Sequence, residues 1–366
     1  MYPAVKRNIL LTPGPTTTTD SVKWAQVVPD ICPREAEFGA VMEHISTELT
    51  RLVAEPEYYQ TILFGGSGTA AVEAMISSVP GSEAVVIVNN GAYGKRMCEI
   101  AAVYGIDYLE FKSPFDDAID IAELERYIQA SGREISHLAV VHHETTTGLL
   151  NKVKEIGKLC KRYHIDMLVD AMSSFAAIPM DMKEMNISFL ASSSNKNLQG
   201  MPGVSFVIAK KSKLEKLKDR KPRNYYLNLY AQYQYFVEHA QMRFTPPVQT
   251  LYALRQAIEE LKQESISKRY DRYTTSWKTL ISGLKRLGLT HIVPEEHHSR
   301  IITSIHEPHT DFDFQSMHDY FYSKGMMIYP GKLEGLKTFR IANIGDITAK
   351  DMELFLELLE EYISRL

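Results

Sequence analysis

Cysteine is scarce in this chain of 366 residues: Cys32, Cys98 and Cys160 are the whole complement, and no CxxC or zinc-like spacing relates them. An odd, scattered set argues against a disulfide scaffold or a metal site and reads as reduced intracellular thiols. Long apolar runs are missing too. None approaches the roughly 18–20 residues that span a bilayer, and MYPAVKRNILLTPGP is broken by proline too early for a signal peptide. A large charge excess is lacking as well: a formal net charge of −4 gives no reason to expect nucleic acid or an anionic membrane as partner. Low-complexity runs and internal repeats are absent. A soluble cytoplasmic protein is the expectation, with 45% hydrophobic and 23% charged residues, enough for two domains or one large one.

What is present alternates. AVVIVNN (84–90), HLAVVHH (137–143) and IDMLVDA (165–171) read as buried strands. IAELERYIQA and KEIGKLCKRY between them carry apolar residues at helical spacing. The repeat predicts an α/β fold, a mostly parallel sheet with helices on both faces, whose ligands gather beyond the carboxyl ends of the strands. After about residue 265 a smaller α+β pattern begins: a long helix, the strand RIITSIH, a helix around FQSMHDYFYSKG, two short strands (MMIYP, TFRIAN) and a final helix from about Ala349 to Arg365. The expected division is 1–265, an N-terminal segment with the large domain, and 266–366, the small C-terminal domain.

Three stretches carry candidate chemistry. FGGSGTAAVEAMISS (64–78) is a glycine-rich turn opening a helix, where Ser67 or Thr69 either caps the helix or helps its free N–H groups hold a phosphate. No GK[ST] succeeds it, so it is not a nucleotide P-loop. Asp170 ends a buried strand, where a carboxylate either caps the next turn of chain or holds a cation. Lys196 stands without a charged neighbour in SSSNKNLQGMPG, after a later strand-like run. A lysine becomes a nucleophile when burial or a nearby cation lowers its pKa. Together the three match the needs of pyridoxal phosphate: a lysine for the aldehyde, an acid for the ring nitrogen and a helix start for the phosphate.

These stretches, with LLTPGPTTTT, NNGAYGKR, HHETTTGLLN, RFTPPVQT, IYPGKL and TFRIANIG, resemble the class V aminotransferases, pyridoxal-phosphate enzymes of fold type I. The motifs occur in the family's order over nearly the whole chain. The resemblance implies that Lys196 is the Schiff-base lysine and proton shuttle and that Asp170 pairs with the ring nitrogen. Ser67, Gly68, Thr69 and Asn195 would hold the phosphate; Tyr93 would stack on one ring face, Met172 pack on the other, and Thr145 lie near the ring oxygen. Thr245 would reach the phosphate of a neighbouring subunit, implying a homodimer with shared sites. Arg340 would grip the substrate's acidic group, with Thr12 and Arg34 as candidates for the extra charge of a phosphonate. His142 and His143 receive no role. The TPGPTTTT and RFTPP contexts favour the branch that exchanges an amino group between an aminophosphonate and pyruvate. The alternatives are a serine– or alanine–glyoxylate-type enzyme and a non-catalytic protein on the same fold.

Overall fold

The computed structural model describes residues 3–309, 312–331, 333 and 335–365; Lys332 of the IYPGKL motif lies outside them. Its centre is a seven-stranded sheet of Tyr59–Gly65 (β1), Ala84–Asn89 (β2), Tyr108–Lys112 (β3), Ile135–Val141 (β4), Asp166–Asp170 (β5), Ile187–Ser193 (β6) and Val204–Lys210 (β7). The spatial order is β1-β7-β6-β5-β4-β2-β3. Strand β7 runs antiparallel to both neighbours, while all other pairings are parallel.

The central strands read as unbroken apolar runs because both faces are covered. Val86 and Val88 of β2, Leu138 and Val140 of β4, and Met167 and Val169 of β5 point into one core layer. Helices Ala36–Arg51 (α1), Ile121–Ala130 (α4), Val153–Arg162 (α5) and Val248–Glu264 (α6) cover that face. The alternate residues Val85, Ile87, Ala139, Val141 and Leu168 meet the second layer under Gly68–Ser78 (α2) and Ala92–Val103 (α3). Each such buried valine or leucine contributes on the order of 2 kcal/mol. Local signals set the helix starts: Asp120 caps α4 by accepting from the N–H groups of Ala122 and Glu123.

The chain then turns at Ser265, whose φ is 70°, from α6 into Ile266–Arg286 (α7). Beyond it Ile302–His306 (β8), Tyr329–Pro330 (β9) and Thr338–Ala342 (β10) form an antiparallel sheet in the order β8-β10-β9. It packs with α7, Phe314–Ser323 (α8) and Ala349–Ile363 (α9). The run MMIYP is divided: Met326–Met327 pairs in parallel with Ile9–Leu10, and only Tyr329–Pro330 joins the sheet. The N-terminal segment thus reaches the small unit, where Leu11 is part of the core, while Val22 packs on Ala253 and Ala257 of the large one. No helix among the described residues is long and apolar enough to cross a membrane.

The parallel strands send their carboxyl ends to one edge of the sheet. Asn89, Val141, Asp170 and Ser193 all end there. The antiparallel pairing of Val204 with Gly65 brings the α2 start to the same edge.

Candidate active site

Asp170 is the last residue of β5, 4% exposed, and its Oδ1 accepts from the Met172 N–H at 2.9 Å. Burial pushes its carboxyl above the usual range, against the Met172 N–H and the charges of Lys196 and Arg96. Among the described residues no cation lies within ion-pair distance of it. A carboxyl buried this deeply suits a cationic ring nitrogen.

Lys196 comes after β6 in a turn that is pinned from three sides. The Lys196 carbonyl accepts from Thr16 Oγ1 and from the Gln199 N–H. Asn197 donates from Nδ2 to the carbonyls of Ser173 and Phe175, tying the lysine turn to the loop after Asp170. Buried Arg269 of α7 donates to the Asn197 carbonyl and pairs with Glu264. The amine itself donates to the Pro13 carbonyl at 2.7 Å. Small residues surround it because the N-terminal segment comes close: a Cβ on Gly14, whose φ is +126°, would stand 3.1 Å from Lys196 Cγ.

Ser67 occupies the N-cap position of α2 but makes no capping bond with its hydroxyl. Neither the Ser67 nor the Thr69 hydroxyl bonds to any described residue, so the helix start keeps the Gly68 and Thr69 N–H groups and two hydroxyls for an anion, while the Ala70 N–H donates to the Ser67 carbonyl. Gly68 is needed for close approach, since a Cβ there would collide with Met172 Sδ at 2.3 Å. Met172 and Tyr93 both pack against the core layer under α2 and α3. Arg96, one turn on from Tyr93, lies 4.8 Å above its ring. Asn195 accepts from the Ser193 hydroxyl at 3.0 Å.

Arg340 is 5% exposed on β10 and donates from Nε to the Pro330 carbonyl and, at 3.5 Å, from Nη1 to the Thr145 carbonyl. Among the described residues no carboxylate lies within 4.0 Å of it. Burial lowers its pKa, against the fields of Tyr93, Glu144 and Tyr329. A buried guanidinium without an ion pair is costly unless an anion completes it.

The structure therefore brings Lys196, Asp170, Met172, Gly68, Tyr93, Thr145 and Arg340 to one sheet edge. Thr12 is buried beside Gly14, its hydroxyl spent on the Pro15 carbonyl. Arg34 is exposed and bound elsewhere, to Gln241 Oε1 and the carbonyls of Met242 and Arg243, rather than to Glu35. Exposed Thr245 makes none of the site's contacts in this chain, although Pro247, two residues on, approaches Gly65. His142 and His143 are neutral by burial and bonded through Nδ1 to Ser174 and Ser173.

Two site residues are not apparent from the sequence motifs. Arg96 sits one turn after Tyr93, a spacing that helix periodicity makes visible. Glu144 of HHETTTG is wholly buried and accepts from the Thr146 N–H and hydroxyl and from the Tyr93 N–H. Burial raises its pKa to about 7.

Proteins of known sequence and of known structure resemble this chain along nearly its whole length. The family described as aminotransferase class-V matches residues 23–332. A 2-aminoethylphosphonate–pyruvate transaminase of Lysinibacillus sphaericus is 40% identical over 358 residues, 97% of each chain. One from Aeromonas hydrophila is 42% identical over 354 residues, 94% of this chain and 92% of its own. The solved alanine–glyoxylate aminotransferase of Nostoc sp. superposes with a TM-score of 0.91 at 26% identity, covering 99% of this chain and 97% of its own.

Proposed function

The chain belongs to the class V aminotransferases, and from that premise we propose that it transfers an amino group from 2-aminoethylphosphonate to pyruvate, giving phosphonoacetaldehyde and L-alanine. Class V aminotransferases use pyridoxal phosphate, and the residues here fit it. Asp170 is a buried carboxyl with no ion pair among the described residues, α2 opens with uncommitted donors, and Met172 against Gly68 walls one side. When bound, that group supplies a carbonyl that takes up the amino group and a ring that accepts electrons.

The chain's own residues do the rest. Lys196 Nζ takes the proton from the amine-bearing carbon of the donor and returns one on the way to product, as base and then acid. Asp170 keeps a proton on the ring nitrogen. Ser67, Gly68, Thr69 and Asn195 hold the phosphate, with Thr245 completing it from a second subunit of a homodimer. Tyr93 and Met172 would flank the ring, and Thr145 would lie near its oxygen. Arg340 holds the donor's phosphonate and then the acceptor's carboxylate, since a planar guanidinium pairs with either. Anchoring the acidic group places the reacting carbon beside Lys196. Phosphonate carries the larger charge, and Thr12 and Arg34 would add contacts to it only by giving up their present bonds to the Pro15 carbonyl and to Gln241, Met242 and Arg243.

The observation that carries this reading is the buried Arg340 guanidinium with no carboxylate partner among the described residues, since donor and acceptor share only an anionic group. Full-length likeness to transaminases of that name supports the donor's identity. The likeness to an alanine–glyoxylate enzyme favours a second reading, with alanine as donor and glyoxylate as acceptor. A non-catalytic role is disfavoured by the intact Lys196 and Asp170. Half-reaction titrations of the cofactor-loaded protein with 2-aminoethylphosphonate, serine and alanine test this. Saturable bleaching of the visible band by the aminophosphonate, with alanine also bleaching it as the reverse of the pyruvate half-reaction, supports the first reading. A band bleached by alanine or serine but untouched by the aminophosphonate defeats it.

A further inference from the structure

Helix α3 begins with an N-cap that makes no side-chain bond. Gly91 occupies that position and has no side chain to offer the exposed N–H groups of the first turn. The acceptor arrives from a different element. Glu144, 53 positions along the chain (144 − 91), reaches the Tyr93 N–H with Oε2 at 3.3 Å. Gly91 makes room for it: a Cβ there would stand 2.4 Å from Glu144 Cδ. The carboxylate is fixed at its own end by the Thr146 N–H and hydroxyl. The next residue, Thr145, gives its carbonyl to Arg340 Nη1.

We infer that Glu144 is a positioning residue that caps the helix carrying Tyr93 and, through its charge, sets how strongly the Arg340 guanidinium attracts an anion. The inference rests on Arg340 being the anion subsite. Glu144 is wholly buried, with no cation within ion-pair distance among the described residues. Its field therefore reaches Arg340 with little screening by solvent. The titratable or charged groups facing it are Asp170 at the tip of β5, Arg340 on β10 and Tyr93 on α3, with Arg96 above the Tyr93 ring. The same group thus sustains the aromatic face of the site and tempers its cation.

Three variants of the cofactor-loaded protein test this by pyruvate calorimetry and by hydrogen exchange of amides 92–95, neither of which needs turnover. Glu144→Gln keeps an acceptor and removes the charge. Pyruvate should bind it about three- to tenfold tighter than wild type at pH 8.5, and equally at pH 5.5, where Glu144 is protonated. Glu144→Ala should speed exchange of those amides about tenfold or more, and Glu144→Gln should leave them protected. Should the alanine variant fail to fold, Glu144→Asp, charged but too short for the Tyr93 N–H, should speed exchange without tightening pyruvate. Unchanged or weaker pyruvate binding by Glu144→Gln at pH 8.5 overturns the charge role. Unchanged exchange in both shortened variants overturns the cap. A wild type that binds no pyruvate overturns the anion subsite, whereas a different amino donor leaves both results standing.

Discussion

The amine of Lys196 donates to the carbonyl of Pro13, 183 positions earlier in the chain, at 2.7 Å. The N-terminal segment therefore roofs the lysine on which the proposed chemistry depends, and Gly14 sits where any side chain would meet the lysine stem. Gly14→Ala should cost about 1–3 kcal/mol of stability from its φ of +126° alone. It should also displace Lys196, lowering the visible absorbance of protein saturated with cofactor. A variant with wild-type melting and wild-type absorbance would show that the roof is not tight.

Ser67 holds the cap position without using its hydroxyl. Ser67→Ala should accordingly leave the melting temperature of the cofactor-free protein almost unchanged, within about 0.5 kcal/mol, unlike loss of a working cap. Affinity for pyridoxal phosphate should fall roughly tenfold, as expected for one lost charge-assisted bond. Equilibrium dialysis beside thermal melts separates the two. Destabilisation with unaltered affinity would return the hydroxyl to an ordinary capping role.

Arg340→Ala should raise KM for both the aminophosphonate and pyruvate, and lower each kcat/KM on the order of 100-fold. Arg340→Lys should recover only part of this, because an ammonium lacks the planar fork. An effect on one substrate and not the other would mean two anion sites instead of one.

Stability should depend on pH through Glu144. Its carboxyl titrates near 7 in the folded chain, above the ordinary value of 4.5. Between those values the folded state binds the extra proton, so its stabilising contribution is full below about 4.5 and is lost as pH rises through about 7. Glu144→Gln mimics the protonated form. Relative to wild type it should gain stability from pH 5 to pH 8, by up to about 3 kcal/mol. Parallel stability curves for the two proteins would contradict this.

Much of the architecture was legible because strands covered on both faces must be apolar along their centres, as residues 84–88 and 167–169 are. Asp170 and Lys196 were readable for a related reason: polar residues ending such strands stand where parallel sheets leave their loops. Pairing across long sequence distances was not readable. Ile9–Leu10 joins Met326–Met327, and MMIYP divides around Ile328, because partners are chosen by the fold and not by local pattern. Glu144 was hidden for the same reason. A glutamate in a threonine-rich turn looks solvated until the sheet carries it to Gly91. The one local hint was a helix start, GAYGKR, that offers no capping side chain of its own.

The central claim is that Lys196 and Asp170 work on a bound cofactor whose amino donor is 2-aminoethylphosphonate. Its most direct test is the visible absorbance of the pyridoxal-phosphate-loaded protein during titration with that compound, and then with pyruvate. The band should vanish with the first addition and return with the second, and protein carrying Lys196→Ala should show neither change. A band untouched by the aminophosphonate but cleared by alanine and restored by glyoxylate would contradict the account.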